Sequence, residues 1–254
     1  MRRHPLQLLL IAALLAATGA RAGEVSVAVA ANFKATLEEV AAAFTRATGH
    51  KVLASSGSTG KLYTQITQGA PFAVLLAADS ARPERLEREG YAVAGSRFTY
   101  AVGRLVLWSP DPERVDAEGA VLRDPGLERL AIANPRSAPY GAAAQEVLEG
   151  LGLWDGIQPR LVRGENIGQA FQFVASGNAP LGFVALAQVR AGGQPGSQWL
   201  VPQALHAPIE QQAVLLGSAA RNPAAQAFLD YLRGPEAVAI IERYGYDVPA
   251  PPER

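Results

Sequence analysis

The feature that most constrains the fold of this chain is an alternation that repeats three times between residues 24 and 90. Each unit runs from a strand-like apolar segment through a short polar turn into a helix-like apolar stripe, and the units end at Gly49, Gly69 and Gly90. Similar segments continue as far as residue 244, without an internal repeat or a low-complexity linker. This alternation predicts an α/β layer with a mostly parallel sheet.

Two long extended segments, at residues 98–106 and 208–214, are suited to carry the chain from one lobe to another. Division at these segments gives one predicted lobe of residues 24–102 plus 211–254 and a second lobe of residues 103–210. The predicted fold class is therefore α/β, with two α/β lobes of mostly parallel sheets joined by two crossing strands.

The first 22 residues have the composition of a secretory signal peptide. A basic start at residues 1–4 precedes an apolar run at 8–17, and Ala20-Arg21-Ala22 is a small-residue cleavage site. We expect cleavage before Gly23 and export of the rest of the chain. The apolar run is shorter than the ~20 residues that span a bilayer, although an uncleaved membrane anchor is the alternative interpretation.

Without that leader the chain is weakly acidic, with 20 basic and 23 acidic side chains and a formal charge of −3. Nucleic acid is excluded as a partner, because phosphate backbones select basic surfaces. The chain has no cysteine, and its single methionine is Met1. Thiol nucleophiles, cysteine metal sites and thioether ligation of copper or iron are therefore excluded.

Four predicted helix starts carry small, amide or hydroxyl-bearing turns, at Ala31-Asn32 and at residues 57–60, 138–141 and 164–168. Ligands of open α/β sheets bind where strands end and helices begin. The first N–H groups of a helix lack partners within it and carry a partial positive charge, so converging helix starts form an anion site from neutral groups. Any one of these turns alone is more often a plain cap. Their distribution over both predicted lobes favours an anion site.

Other chemistries fit the sequence less well. The run at residues 57–61 lacks the glycine at position 55 and the hydroxyl at position 62 that a nucleotide-binding P-loop requires. Neither a G-x-S-x-G nucleophile motif nor an H-E-x-x-H zinc motif occurs. Asp79 follows a strand and could act as a general base, but an acid there more often caps the next helix. We expect that the protein is not an enzyme. The alternative, from another functional class, is a hydrolase that uses Asp79.

Several runs of the chain resemble the family of periplasmic molybdate-binding proteins (ModA). The resemblance extends over essentially the whole chain after residue 22, and the second turn together with the closing runs is specific. It is carried by residues 30–33, 56–66, 69–72, 77–79, 97–101, 138–141, 181–184, 232–237 and 244–246.

The resemblance implies a periplasmic-binding-protein fold whose two lobes close on molybdate, and also on tungstate, in the periplasm. It implies delivery of that oxyanion to the permease of an ATP-binding-cassette (ABC) transporter in the inner membrane. No cofactor is expected, molybdenum enters only as the bound oxyanion, and the protein is expected to be a monomer. Sulfate or phosphate is the alternative ligand.

The resemblance also implies which positions touch the oxyanion: Ala31, Asn32, Thr59, Tyr140 and, through its backbone N–H, Ile167. At two positions this chain has a different residue from some members of the family. Asn32 stands where some members have serine, and Ala185 stands where some have a tyrosine that supplies a hydroxyl. Tyr140 is expected to supply that hydroxyl from another direction.

Overall fold

The structure is a computed structural model that describes residues 22–249. The predicted signal peptide, residues 1–22, lies outside the described residues except for its last position. Between residues 22 and 249, no helix has the length and apolar character needed to cross a bilayer.

The strands form two separate sheets, each built of five strands in the described part of the chain. The strands of the first sheet are β1 (Glu24–Ala30), β2 (Lys51–Gly57), β3 (Val74–Leu76), β4 (Phe98–Gly103) and β10 (Ile209–Leu215). The strands of the second are β5 (Leu105–Ser109), β6 (Leu130–Ala133), β7 (Leu161–Gly164), β8 (Gly182–Ala185) and β9 (Ser197–Leu200). The strand orders are β2-β1-β3-β10-β4 and β7-β6-β8-β5-β9.

Helices cover these sheets. They are α1 (Lys34–Thr48), α2 (Thr59–Thr67), α3 (Ala81–Arg88), α4 (Pro139–Gly150), α5 (Trp154–Ile157), α6 (Ile167–Ala175), α7 (Leu186–Gly192), α8 (Pro223–Leu232) and α9 (Pro235–Arg243). Short 3-10 turns occur at Ala31–Phe33, Ala120–Arg123, Gln158–Arg160, Gln203–Leu205 and Gly217–Ala219.

Strand β1 shows why the first lobe folds as a layered α/β unit. From Val27 onward it is buried at every position, as expected of a strand covered on both faces. The apolar stripe of α1 packs on this sheet, and the ring of Phe44 meets that of Phe228 on α8 edge to face at 5.4 Å. Strand, turn and helix alternate as the sequence predicts, which confirms the α/β class and the two lobes.

Each sheet is mixed, whereas the sequence predicted mostly parallel sheets. In the first sheet β1 pairs in parallel with β2 and β3, but β10 runs antiparallel to β3 and β4. In the second, β6 pairs in parallel with β7 and β8, but β5 runs antiparallel to β8 and β9. Strands β5 and β10 enter from the opposite lobe, and their direction is set by that crossing and not by a helical return.

The chain crosses between the sheets twice. The predicted crossing run at 98–106 is two strands, β4 in the first sheet and β5 in the second, separated by Arg104. The return crossing follows β9 through residues 201–208 and leads into β10. Strand β10 begins at Ile209 and lies wholly in the first sheet. The predicted lobe boundaries themselves stay a prediction.

The register of the parallel strands places the helix starts side by side. Ala30 pairs with Gly57 at the carboxyl ends of β1 and β2, and Ala133 pairs with Gly164 at the ends of β6 and β7. Each lobe therefore presents two adjacent turns toward the space between the sheets. Ala30 of the first lobe shares a buried apolar cluster with Ile167 of the second, so the lobes are in contact there.

Candidate functional site

A small cavity lies where the four helix starts meet. The volume open to the centre of a water molecule is about 10 Å³, close to the least that holds one water. Its lining consists of small, amide, hydroxyl and aliphatic residues: Ala30, Ala31, Asn32, Gly57, Ser58, Thr59, Ala78, Ala138, Pro139, Tyr140, Asn166 and Ile167. None of these lining residues is a lysine, arginine, histidine or carboxylate.

The structure brings together every residue that the sequence predicted for the oxyanion site. These residues are Ala31, Asn32, Thr59, Tyr140 and Ile167. They come from four turns, two in each lobe, and the first and last of these residues, Ala31 and Ile167, are 136 positions apart in the chain. Within each lobe the two turns are adjacent because they follow paired parallel strands. Their contact with a ligand stays a prediction.

The helix starts are oriented so that their N–H groups are available to an anion. Ser58 Oγ accepts the N–H of Lys61 at 3.4 Å, and Asn166 Oδ1 accepts the N–H of Gln169 at 3.0 Å. These caps satisfy the third N–H of α2 and α6, whereas the first N–H groups, at Thr59 and Ile167, have no acceptor within their helices. In α4 the first position is Pro139, so the first available N–H belongs to Tyr140.

Thr59 is fully buried and its hydroxyl is held in place by the next turn of the same lobe. Its Oγ1 atom accepts the N–H of Ala78 at 3.0 Å. A hydroxyl that accepts one hydrogen bond still has its own hydrogen to donate. Thr59 therefore offers two donors to a ligand in the cavity, its backbone N–H and its hydroxyl.

Asn32 does not cap a helix, although it stands at a predicted helix start, where Asn is a strong N-cap. The chain enters α1 through the 3-10 turn, and no side chain caps either element. The amide of Asn32 instead lies inside the protein, where its Nδ2 donates to Gln211 Oε1 at 2.8 Å and to the hydroxyl of Tyr246 at 3.1 Å. Its Oδ1 is buried without a partner.

Tyr140 is buried, and its hydroxyl belongs to the same hydrogen-bond network as Asn32. Gln211 Nε2 donates to the Tyr140 hydroxyl at 3.2 Å, and burial raises the pKa of Tyr140 well above the ordinary value of a tyrosine. The hydroxyl therefore stays protonated and able to donate. A β-carbon added to Gly103 would lie 2.1 Å from the Tyr140 oxygen, so this contact requires glycine at the crossing between the sheets.

Sequence reasoning missed Gln211 and Tyr246, which hold Asn32 and Tyr140 in place. Both are buried, and burial raises the pKa of Tyr246, so it stays neutral. One signal was present in the sequence: Gln211 and Gln212 directly precede the apolar run Ala213–Leu215 of the same strand, and buried amides in strands are held by specific partners.

Asp79, the alternative catalytic residue, is engaged elsewhere. Its Oδ1 accepts the N–H of Arg82 at 3.1 Å, as a capping side chain does, and its Oδ2 pairs with the Arg82 guanidinium. Asp79 is not among the residues that line the cavity. Between residues 22 and 249, no group of three histidine, cysteine or carboxylate side chains is placed to hold a metal ion.

Comparison with known proteins gives one family match and several similar chains. Residues 25–247 match the model of the bacterial extracellular solute-binding protein family. The chain is 58% identical to the molybdate-binding protein ModA of Rhodobacter capsulatus, with 89% of each chain covered. It is 57% identical to a molybdate-binding protein ModA of Azotobacter vinelandii, over 91% of this chain and 93% of the relative.

A solved structure has the same fold. The Azotobacter vinelandii periplasmic molybdate-binding protein superposes with a TM-score of 0.86 and 48% sequence identity. The alignment covers 89% of this chain and 100% of that chain. This similarity confirms the predicted periplasmic-binding-protein type of fold.

Proposed function

This chain belongs to the bacterial extracellular solute-binding protein family, and on that premise we propose that it captures molybdate between its lobes and delivers it to an ABC transporter. It is a binding protein and not an enzyme. The relatives from Rhodobacter capsulatus and Azotobacter vinelandii, which share more than half of its residues over most of the chain, are molybdate-binding proteins by name.

The observation that carries the proposal is a cage of neutral donors. The cavity is lined by the starts of α2, α4 and α6 and by the 3-10 turn before α1, and it contains no charged side chain. Molybdate is a tetrahedral dianion with four acceptor oxygens and no hydrogen to donate. Helix-start N–H groups and hydroxyls match it, and each such hydrogen bond to a charged acceptor contributes ~1.5–3 kcal/mol.

The residues that we propose as ligands are Ala31, Asn32, Thr59, Tyr140 and Ile167. Thr59 and Tyr140 contribute hydroxyls, while Ile167 contributes its backbone N–H. Tungstate has the same charge and shape, and we propose that it binds as well. Sulfate is smaller, so a cage with fixed donors gains less from it because some donors fall out of reach. The protein acts without a cofactor, and molybdenum is present only inside the bound oxyanion.

The setting of this function is also part of the proposal. We propose that residues 1–22 direct export and are removed, so the protein acts in the periplasm as a monomer. Its partner is the permease of an ABC transporter in the inner membrane, to which the closed protein presents both lobes.

Calorimetric titration of residues 23–254 tests the proposal. Molybdate and tungstate are expected to bind tightly with one ion per chain, and sulfate and phosphate at least a hundredfold more weakly. Tight binding of sulfate or phosphate, with no binding of molybdate, would contradict molybdate as the ligand and identify the other anion instead. Turnover of a phosphate ester, abolished in Asp79→Ala, would contradict the assignment as a binding protein.

A further inference from the structure

Gln211 lies at the centre of a buried hydrogen-bond chain that joins the two lobes. It belongs to β10 of the first sheet and is fully buried. Its Oε1 accepts from Asn32 Nδ2 at 2.8 Å, and its Nε2 donates to the hydroxyl of Tyr140 at 3.2 Å. The hydroxyl of Tyr100 lies 3.2 Å both from this Oε1 and from the carbonyl oxygen of Ala77, so its one hydrogen is shared between two acceptors. Tyr140 stands at the start of α4, in the second lobe.

The directions of the hydrogen bonds that link Tyr246, Asn32, Gln211 and Tyr140 follow from one obligatory acceptor. The backbone carbonyl of Asn32 can only accept, and the hydroxyl of Tyr246 lies 2.9 Å from it, so Tyr246 spends its single hydrogen there. At its second contact with Asn32, 3.1 Å away, Tyr246 must therefore accept. This requirement places the Nδ2 end of the Asn32 amide, and not its Oδ1 end, toward Tyr246.

The remaining directions follow in order. Because Nδ2 of Asn32 also faces Gln211, the atom of Gln211 at that contact must be the acceptor Oε1. Its Nε2 end then faces Tyr140, whose oxygen accepts the bond. Among the hydrogen bonds of residues 22–249, none is donated by the Tyr140 hydroxyl, so its hydrogen is not used within the described part of the protein.

We propose that Gln211 is a positioning residue for oxyanion binding, because it occupies the lone pair of Tyr140 and directs the Tyr140 hydrogen to the ligand. The inference rests on the proposed function, since it needs an anion in the cavity. Gln211 itself does not line the cavity and acts only through Tyr140. The chain also joins β10 of the first lobe to α4 of the second, so it forms when the lobes are closed.

The closing experiment is a double-mutant cycle on molybdate affinity, measured by calorimetry with wild type, Gln211→Leu, Tyr140→Phe and the double variant. Tyr140→Phe removes one hydrogen bond to a charged acceptor and is expected to weaken binding about tenfold to a hundredfold. Gln211→Leu is expected to weaken it by a similar factor, and the double variant no more than Tyr140→Phe alone. The inference would be overturned if the double variant lost affinity by the product of the two single losses. It would also be overturned if Tyr140→Phe bound molybdate with wild-type affinity.

Gln212→Leu is the matched control. Gln212 is the next residue of the same strand and is also buried, but its amide forms hydrogen bonds with Arg97 and Thr99, and none of these three residues lines the cavity. This variant is expected to keep wild-type affinity whatever its effect on thermal unfolding. A loss equal to that of Gln211→Leu would mean that strand β10 is merely perturbed and would overturn the proposed role.

Gln211→Glu supplies a readout that a structural role would not change. An ionised carboxylate has no hydrogen to donate, so Tyr140 would donate to it and turn away from the ligand. Binding is expected to be weakest at neutral pH and to recover, relative to wild type at the same pH, as the carboxyl is protonated. A ratio to wild type that does not change with pH would contradict the inference. A wild-type protein that binds neither molybdate nor tungstate would instead contradict the proposed function.

Discussion

The backbone N–H of Gly60 donates to the backbone carbonyl of Ser137 across the boundary between the lobes, with an N···O distance of 2.9 Å. Gly60 belongs to the first turn of α2, and Ser137 lies in the turn that precedes α4. Two of the helix starts that form the cavity are therefore joined to each other by main chain. Glycine at residue 60 allows the two turns to approach this closely without crowding.

Substitution Gly60→Ala is expected to oppose lobe closure. The added β-carbon would lie 3.0 Å from the Ser137 oxygen and 3.1 Å from its Cα, which is closer than ordinary contact. Crowding of this kind costs ~1–3 kcal/mol in the closed state alone, equivalent to roughly a fivefold to hundredfold loss of affinity. Calorimetry measures the loss, and small-angle scattering with ligand measures the closure. Gly150→Ala, where the added carbon meets open space, should bind as wild type does.

Lys61 and Glu165 also join the lobes, through an ion pair, but their contribution is expected to be small. Both side chains are more than half exposed, and exposed pairs contribute ~0.2–1 kcal/mol. Lys61→Ala is therefore expected to lower molybdate affinity by less than about fivefold. The difference from wild type should shrink further in high salt, because exposed charges are screened. A loss as large as that of Gly60→Ala would show that this pair, and not the main-chain contact, governs closure.

Thr59→Ala is expected to weaken oxyanion binding by about tenfold to a hundredfold, because it removes a buried hydroxyl donor. It also leaves the N–H of Ala78 without its acceptor, so the free energy of unfolding should fall by ~1–3 kcal/mol. Thr59→Ser keeps the hydroxyl and should retain most of both quantities. Equal binding by the alanine and serine variants would exclude Thr59 from the ligand set. Calorimetry and urea unfolding provide the two measurements.

Asn32→Asp changes the amide to an acceptor-only carboxylate. The variant loses both hydrogen bonds that Nδ2 donates, and it places a negative charge beside the anion cavity. We expect molybdate binding to fall by more than a hundredfold, with a loss of stability as well. The control is Asn222→Asp at the start of α8, where either side chain caps the helix and little change is expected. Retention of tight binding by Asn32→Asp would contradict the assigned direction of the hydrogen bonds.

Alkaline pH is expected to destabilise the fold through its buried tyrosines. Burial raises the pKa values of Tyr100, Tyr140 and Tyr246 above the ordinary value of about 10. The unfolded chain therefore loses these protons first, so the free energy of unfolding is unaffected below pH about 10 and falls above it. Each such group contributes a slope of ~1.4 kcal/mol per pH unit in that window. Urea unfolding as a function of pH measures the slope, which should be shallower in Tyr140→Phe.

The structure places the turns that local sequence singled out, at residues 31–32, 57–60, 138–141 and 164–168, at one cavity. Two of these turns follow adjacent parallel strands of the first sheet and two follow adjacent parallel strands of the second, and the edges of the two sheets face each other across the cavity. The five predicted ligand residues stay a prediction until binding is measured.

The parts that depend on distant contacts could not be predicted. Asn32 stands at a predicted helix start, and Asn at such a position is usually a cap. Its true partners, Gln211 and Tyr246, are 179 and 214 residues away in the chain. The extended segments of β5 and β10 were predicted as crossing strands, but their antiparallel direction was not, for the same reason. Their direction is fixed by which lobe the chain comes from, and a pattern of apolar residues does not record that.

No residue that lines the cavity carries a carboxylate, ammonium, guanidinium or imidazole group. This has a consequence for how a bound anion would be released. Tyr140 is the only lining residue that titrates, and burial keeps that hydroxyl neutral well beyond physiological pH. Acidification therefore changes the charge of no side chain that lines the cavity. Under the proposed function, unloading is then a mechanical event, in which the helix starts of one lobe are drawn away from those of the other. The proposed transporter would supply the work for that separation.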